Sequence, residues 1–254
     1  MKFGLAVVFI AVLLLNSPEP KPDRTRPCSR SKIFFVQRIV AWSTPFAPEG
    51  FFYKSGLAID ADGAYRAYHP DDRLGLDSLV HAGYPGNWWA LATDNGKRSG
   101  RPVVQGNSDP APGYYVSTTA LCDPDNPNSR DPHKYVDAAS VPYVVLHPKA
   151  LRYARLGDFA TVVNLHNGRI SPALVADSSA SNLPLGKGSI ALARALGVDA
   201  SPRDGGEDEG IAYLIYPGSG NGRPQPLQNI VIKSKQLFDA WGGFRKLRAC
   251  LADE

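Results

Sequence analysis

The segment Gly157 to Gly197, GDFATVVNLHNGRISPALVADSSASNLPLGKGSIALARALG, places a carboxylate, Asp177, at the end of a β-like run and an ammonium group, Lys187, in the glycine-rich turn that follows. A carboxylate at a strand end can give or take a proton during a reaction, and strand ends with their following loops are where a rigid scaffold presents such groups. Two more acidic stretches could supply it with a partner. Gly205-Gly206-Glu207-Asp208-Glu209-Gly210 reads first as a solvated turn, and as function offers Glu207 or Glu209. Asp60-Ala61-Asp62-Gly63 begins like a calcium loop but lacks the later ligands and the glutamate at the twelfth position, so no metal is expected. As plain structure it is a hairpin turn in which an aspartate caps its own backbone.

Aromatic and nucleophilic groups complete the inventory. Trp88-Trp89 and Tyr114-Tyr115 could stack on a ligand. Neighbours in a strand point to opposite faces, so one of each pair belongs to the core; Trp88 and Tyr115 are taken as the ligand-facing candidates. The histidines (His69, His81, His133, His147, His166) show no ligand spacing and no nearby nucleophile motif, which leaves Ser-His-Asp catalysis without support. Tyr216-Pro217-Gly218-Ser219-Gly220-Asn221-Gly222 lacks the Gly-Lys-Ser/Thr of a phosphate loop and leads into Pro224, so no nucleotide or other cofactor is expected. Cys28, Cys122 and Cys250 allow at most one bridge and show no zinc spacing. Domain termini often meet, so Cys28 and Cys250 are the pair to test first, with three free thiols as the alternative.

The elements that must position these groups are mostly strands. Phe159 to Leu165 and Ile170 to Ala176 flank Asn167-Gly168 as a hairpin. Further β-like runs are Ile33 to Val40, Gly56 to Ile59, Ala64 to Tyr68, Trp88 to Thr93, Pro102 to Gln105, Tyr114 to Thr118, Tyr143 to Leu146, Ala212 to Tyr216 and Asn229 to Lys233. Helices are expected at Ser189 to Leu196 and Ser234 to Leu251. The pattern is a barrel with short helices laid against it. With 254 residues, 43% hydrophobic content, 22 prolines and 24 glycines, the chain suits one turn-rich domain. A net charge of +4 without basic runs interleaved with aromatics excludes nucleic acid as a partner.

Residues 1–17 have the proportions of a secretory signal, one lysine and then about a dozen apolar residues, too short for a membrane span of about 20. Secreted or periplasmic placement follows, with a retained N-terminal tether as the alternative. Residues 18–31, rich in Pro, Arg and Lys, read as an extended linker before a domain at 32–254.

The Asp177 segment resembles the chitosanases of glycoside hydrolase family 75, in which an Asp after the strand and a Glu in a Gly-Glu-(Gly/Ala)-Ser-Ile turn form the carboxylate pair. Asp177 matches the first, and Gly186, Gly188, Ser189 and Ile190 align the second onto Lys187. The likeness extends through YKSGLAIDADGAYRAYHP, PGNWWALATDNGK, DPAPGYYVSTTAL, VPYVVL and YLIYPGSGNGRP, roughly residues 50 to 243. It implies a six-stranded double-psi β-barrel, a monomer without a stable protein partner, and inverting hydrolysis of β-1,4 bonds in chitosan or a related amino-sugar polysaccharide. It also implies Asp60 and Asp62 on a cleft wall, while the strand-end position of Asp177 and the Gly-rich turn opposite it place Asp177 on the floor of an open groove. A lysine beside Asp177 is expected to lower its pKa, and Lys187→Glu to raise hydrolysis on the order of a hundredfold. The alternative is a catalytically inactive polysaccharide-binding relative.

Overall fold

In the computed structural model, which describes residues 28–45 and 49–252, six strands close into a barrel. Residues 1–17 and most of the 18–31 stretch lie outside the described residues. Strand takes 30% of the chain and helix 19%, so the mostly β expectation holds.

A hairpin of β1 (Ser31–Val36) and β2 (Ile39–Ser43) leads into β3 (Phe51–Asp60). After a long excursion bearing the two-residue strands β4 (Gly83–Tyr84) and β5 (Asn87–Trp88), the chain returns as β6 (Tyr143–Leu146), β7 (Phe159–Asn164), β8 (Ile170–Ser178) and β9 (Lys187–Ser189). Helix α1 (Ile190–Leu196), β10 (Glu207–Ile215), α2 (Leu227–Trp241) and α3 (Gly243–Leu251) complete the order. The barrel runs β3-β10-β7-β8-β6-β9 and closes where β9 pairs with β3. The β8–β6 and β9–β3 pairs are parallel and the other four antiparallel.

Burial explains why these strands read as nearly continuous apolar runs. Every residue of β6 and β7 is buried, as are Ile211 to Ile215 of β10, because one face fills the barrel while α2, α1 or the excursion covers parts of the other. Tyr53 and Tyr213 pair directly across β3 and β10 and stack at 4.8 Å between ring centroids.

Local departures from the sequence reading have identifiable causes. The run at Ile33–Val40 folds back at Gln37, whose φ is 52°, to make the β1–β2 hairpin. Asn229–Lys233 is helical: Ile230, Ser234, Phe238 and Trp241 are buried at three- and four-residue spacing, so helical packing overrides the β-branched run Ile230-Val231-Ile232. The expected helix from Ser234 is two helices, broken at Gly242 and Gly243, both with positive φ. Ala64–Tyr68 is not a strand, and the runs at Trp88–Thr93, Pro102–Gln105 and Tyr114–Thr118 are tied mainly by isolated bridges such as Leu91 to Ser117 and Val104 to Tyr115. Cys28 and Cys250 are disulfide-bonded, their Cα atoms 4.8 Å apart across a sequence separation of 222 residues. Cys122 is free. Among the described residues no helix is long and apolar enough to cross a membrane.

Candidate active site

Asp177 and Lys187 are brought together by strand register. Both pair with Val145 of β6, one from β8 and one from β9, and Lys187 also lies opposite Ala58 of β3. Pairing is irregular at Asp177. Val175 pairs with Val144 and Asp177 with Val145, so Ala176 is an extra residue, a bulge of the kind that re-aims a side chain. Across the sheet, Ala58 and Asp60 share one pleat face, which puts the Asp60 carboxylate beside the side chain of Lys187.

The turn glycines are required by space. Gly186 has φ +101°, and a Cβ there would lie 2.3 Å from Ser55 Oγ; a Cβ on Gly188 would lie 2.9 Å from the Tyr143 carbonyl oxygen. Gly186 therefore turns the chain into the short strand β9, Lys187-Gly188-Ser189, wedged between β3 and β6, and Ser189 then caps α1 by accepting the Leu192 N–H.

Three carboxylates and one ammonium meet at this point. Asp60, Asp62 and Asp177 each offer an oxygen within 4.8 Å of the others, and Lys187 Nζ stands 2.8 Å from Asp60 Oδ1. The Tyr68 hydroxyl donates to Asp62 Oδ1 at 2.7 Å. The Tyr143 hydroxyl lies 3.1 Å from Asp60 Oδ2 and 2.9 Å from the Asp62 carbonyl oxygen. Asp177 Oδ1 accepts the N–H groups of Ser178 at 2.7 Å and Ala120 at 3.1 Å. Two donors on Oδ1 leave Oδ2 as the atom to carry a proton.

Burial and like charge dominate the titration of these groups. The Asp177 carboxyl is pushed up to about 7, first by burial and then by Asp60; the two N–H bonds and Lys187 pull the other way and lose. Lys187 does act in the expected direction, lowering the Asp177 pKa, but it is the smallest of these influences, its ammonium being engaged by Asp60, and burial with Asp60 outweighs it. Burial and Asp60 hold the Asp62 carboxyl well above the usual range. Burial works against the charge on Lys187, but the surrounding carboxylates, Asp60 foremost, raise its pKa above the ordinary lysine value. A carboxyl titrating near 7 can both donate and accept a proton at neutral pH. The hard oxygens of this cluster would also suit a divalent cation, but only in competition with the ammonium already seated there.

The other candidates are placed differently. Asp177 is 8% exposed, and residues 119–121 lie across it, so it sits in a covered polar site and not on a wide groove floor. Two surface cavities open elsewhere, one between the 219–225 loop and α2 and one beside α1. Glu207 pairs with Leu57, on the pleat face opposite Ala58 and Asp60. Glu209 is exposed, its carbonyl oxygen 3.2 Å from His166 Nε2. Trp88 is buried in the core and its exposed neighbour is Trp89; Tyr115 is half-buried against the core. The Asp60–Gly63 segment ends β3 and opens the excursion without a returning strand, so it is not a hairpin turn.

Tyr68, Tyr143 and Asp77 belong to the site's surroundings and were not legible as such. Asp77 is buried, holds His81 Nδ1 at 2.8 Å, and feels the charge of Lys187. The glycine-rich loop after β10 binds its own carboxylate: the fully buried Asp158 accepts the N–H groups of Gly218 and Gly220 at 3.1 and 3.0 Å. In comparisons with known proteins, no family model matches the chain and no curated protein matches it.

Proposed function

We propose that the chain is a secreted glycoside hydrolase of the chitosanase type, acting on β-1,4 bonds of chitosan or a related amino-sugar polysaccharide, with Asp177 as its proton-transferring residue. The observation that carries this reading is the Asp177 carboxyl, titrating near 7 at a strand-end bulge with one oxygen fixed by two backbone N–H groups. It supports a residue poised to protonate a leaving glycosidic oxygen. The resemblance adds the substrate class and the double-psi topology, with which the closed six-stranded barrel is compatible. A disulfide joining the two ends of the domain suits an oxidising, extracytoplasmic compartment. The chain acts as a monomer in this reading, with no partner but the polysaccharide and no cofactor.

Inversion needs a base on the far face of the sugar, with the two carboxyl groups roughly 6.5 to 9.5 Å apart to admit water. Asp60 and Asp62 stand closer to Asp177 than that, and Asp60 is engaged by Lys187. This observation favours the second reading, a polysaccharide-binding relative that keeps the cluster for shape and charge. Release of reducing ends from chitosan by the unmodified chain separates the two: hydrolysis that vanishes in Asp177→Asn supports the enzyme, and binding without hydrolysis supports the relative.

A further inference from the structure

Next to the carboxylate cluster lies a second arrangement that the chemistry above leaves unused. Asp77, 3% exposed, accepts the Ser78 N–H at 2.7 Å and holds His81 Nδ1 at 2.8 Å, all through Oδ1. With Nδ1–H donated to the carboxylate, Nε2 becomes the acceptor, on a side chain that is 54% exposed. The His81 carbonyl oxygen in turn accepts the indole N–H of Trp89 at 2.8 Å. That bond anchors the edge of a ring that remains 44% exposed.

Tyr84 stands edge-on to Trp89, centroids 6.0 Å apart and planes at 80°, and is 56% exposed. The hairpin that presents both rings is fixed by close packing, since a Cβ on Gly83 would lie 2.5 Å from the Asn87 carbonyl oxygen. Burying a carboxylate is costly unless it is paired, and here its pairing orients a surface imidazole on the residue whose carbonyl holds the Trp89 ring.

We propose that His81, Trp89 and Tyr84 form a sugar-binding subsite that holds one pyranose unit of the polysaccharide beside the reacting bond. A pyranose offers an apolar C–H face for the Trp89 ring and hydroxyl groups at its rim for His81 Nε2, which are the two chemistries this surface presents. Its position follows from Asp77, whose N–H donates to the Ala67 carbonyl oxygen at 3.0 Å, next to the Tyr68 that donates to Asp62, and whose carboxylate carries His81. The subsite rests on the glycan reading above and adds to it the residues that select and hold the chain.

The test uses the full chain carrying Asp177→Asn, which cannot turn over, titrated calorimetrically with hexamers of glucosamine and of N-acetylglucosamine. Adding Trp89→Ala is expected to weaken hexamer binding about tenfold, Trp89→Phe to recover most of it, and His81→Gln to weaken it roughly threefold to tenfold. Unchanged affinity in both Trp89→Ala and His81→Gln, with unchanged circular dichroism, overturns the subsite, as does a parent that binds neither hexamer. Should Trp89→Ala fail to fold, His81→Gln decides, and unchanged affinity in that folded chain overturns the subsite. Failure of the catalytic reading is seen separately, as reducing-end release that is absent in the unmodified chain or indifferent to Asp177; hexamer binding that depends on Trp89 in a chain that cleaves nothing supports the subsite and overturns the enzyme.

Discussion

Replacing Asp177 by asparagine should stabilise the protein, and only above acid pH. The folded-state carboxyl is raised from 3.8 to about 7, so the native protein keeps a proton that the unfolded chain gives up. Stability therefore falls as pH rises through the interval between those two values and stays at the lower level above about 7. Each unit is worth about 1.36 kcal/mol, which bounds the cost of the ionised group at about 4 kcal/mol. Because Asp60 and Asp62 share the same field, about 2 kcal/mol is the smaller figure to expect. Asparagine retains Oδ1 as acceptor for Ser178 and Ala120, so the substitution removes charge while keeping both hydrogen bonds. Guanidinium unfolding at pH 4, 6 and 8 should show the two proteins equal at pH 4 and Asp177→Asn more stable by about 2 to 4 kcal/mol at pH 8. Equal stability at pH 8, or a wild type that gains on the variant as pH rises, would refute the assignment of a destabilised carboxyl to this site.

Lys187→Gln leaves the buried Asp60 without its counter-charge and should cost about 3 kcal/mol at pH 7, shrinking in acid as the carboxyls take up protons; thermal melts at pH 4 and pH 7 check this, and a loss independent of pH contradicts it. Lys187→Glu adds a fourth acid and should destabilise more than Lys187→Gln, so its expected gain in chitosan hydrolysis, on the order of a hundredfold, is to be read by reducing-end release near pH 5 with folding verified. Breaking the Cys28–Cys250 bridge, by Cys28→Ser or by reductant, should lower stability by about 2 to 5 kcal/mol in denaturant titrations, and no change would place the bridge outside the folding energetics.

Much of the barrel was legible because its strands satisfy two signals at once. Tyr143–Leu146 and Phe159–Asn164 are β-branched and apolar, and Asn167-Gly168 marks the turn between β7 and β8. Strand β9 was not. Lys187-Gly188-Ser189 has no strand propensity, and only pairing to β3 and β6 on its two sides makes it extended. The excursion after Asp60 was misread as strands because single bridges between irregular segments leave apolar residues buried without a ladder.

At the site, Asp177 and Lys187 stood out from strand-end position and glycine spacing, and Asp60 and Asp62 from their Asp-x-Asp-Gly motif. Their convergence depends on the parallel register of β9 with β3, which no local pattern announces. The same holds for Tyr143 and Asp77, whose partners are distant in sequence or electrostatic and carry no motif. Trp88 and Trp89 exchanged roles because a strand of two residues sets the pleat, and a shift of one residue reverses inside and outside.

The most direct test of the central claim is reducing-end release from chitosan by the unmodified chain and by Asp177→Asn, assayed across pH 4 to 8 with both proteins shown to be folded. The expected result is hydrolysis by the unmodified chain that falls as Asp177 ionises, and a loss of at least about a hundredfold in Asp177→Asn. Equal release by the two folded proteins, or none by either, would contradict the assignment of Asp177 as the proton-transferring residue of a glycoside hydrolase.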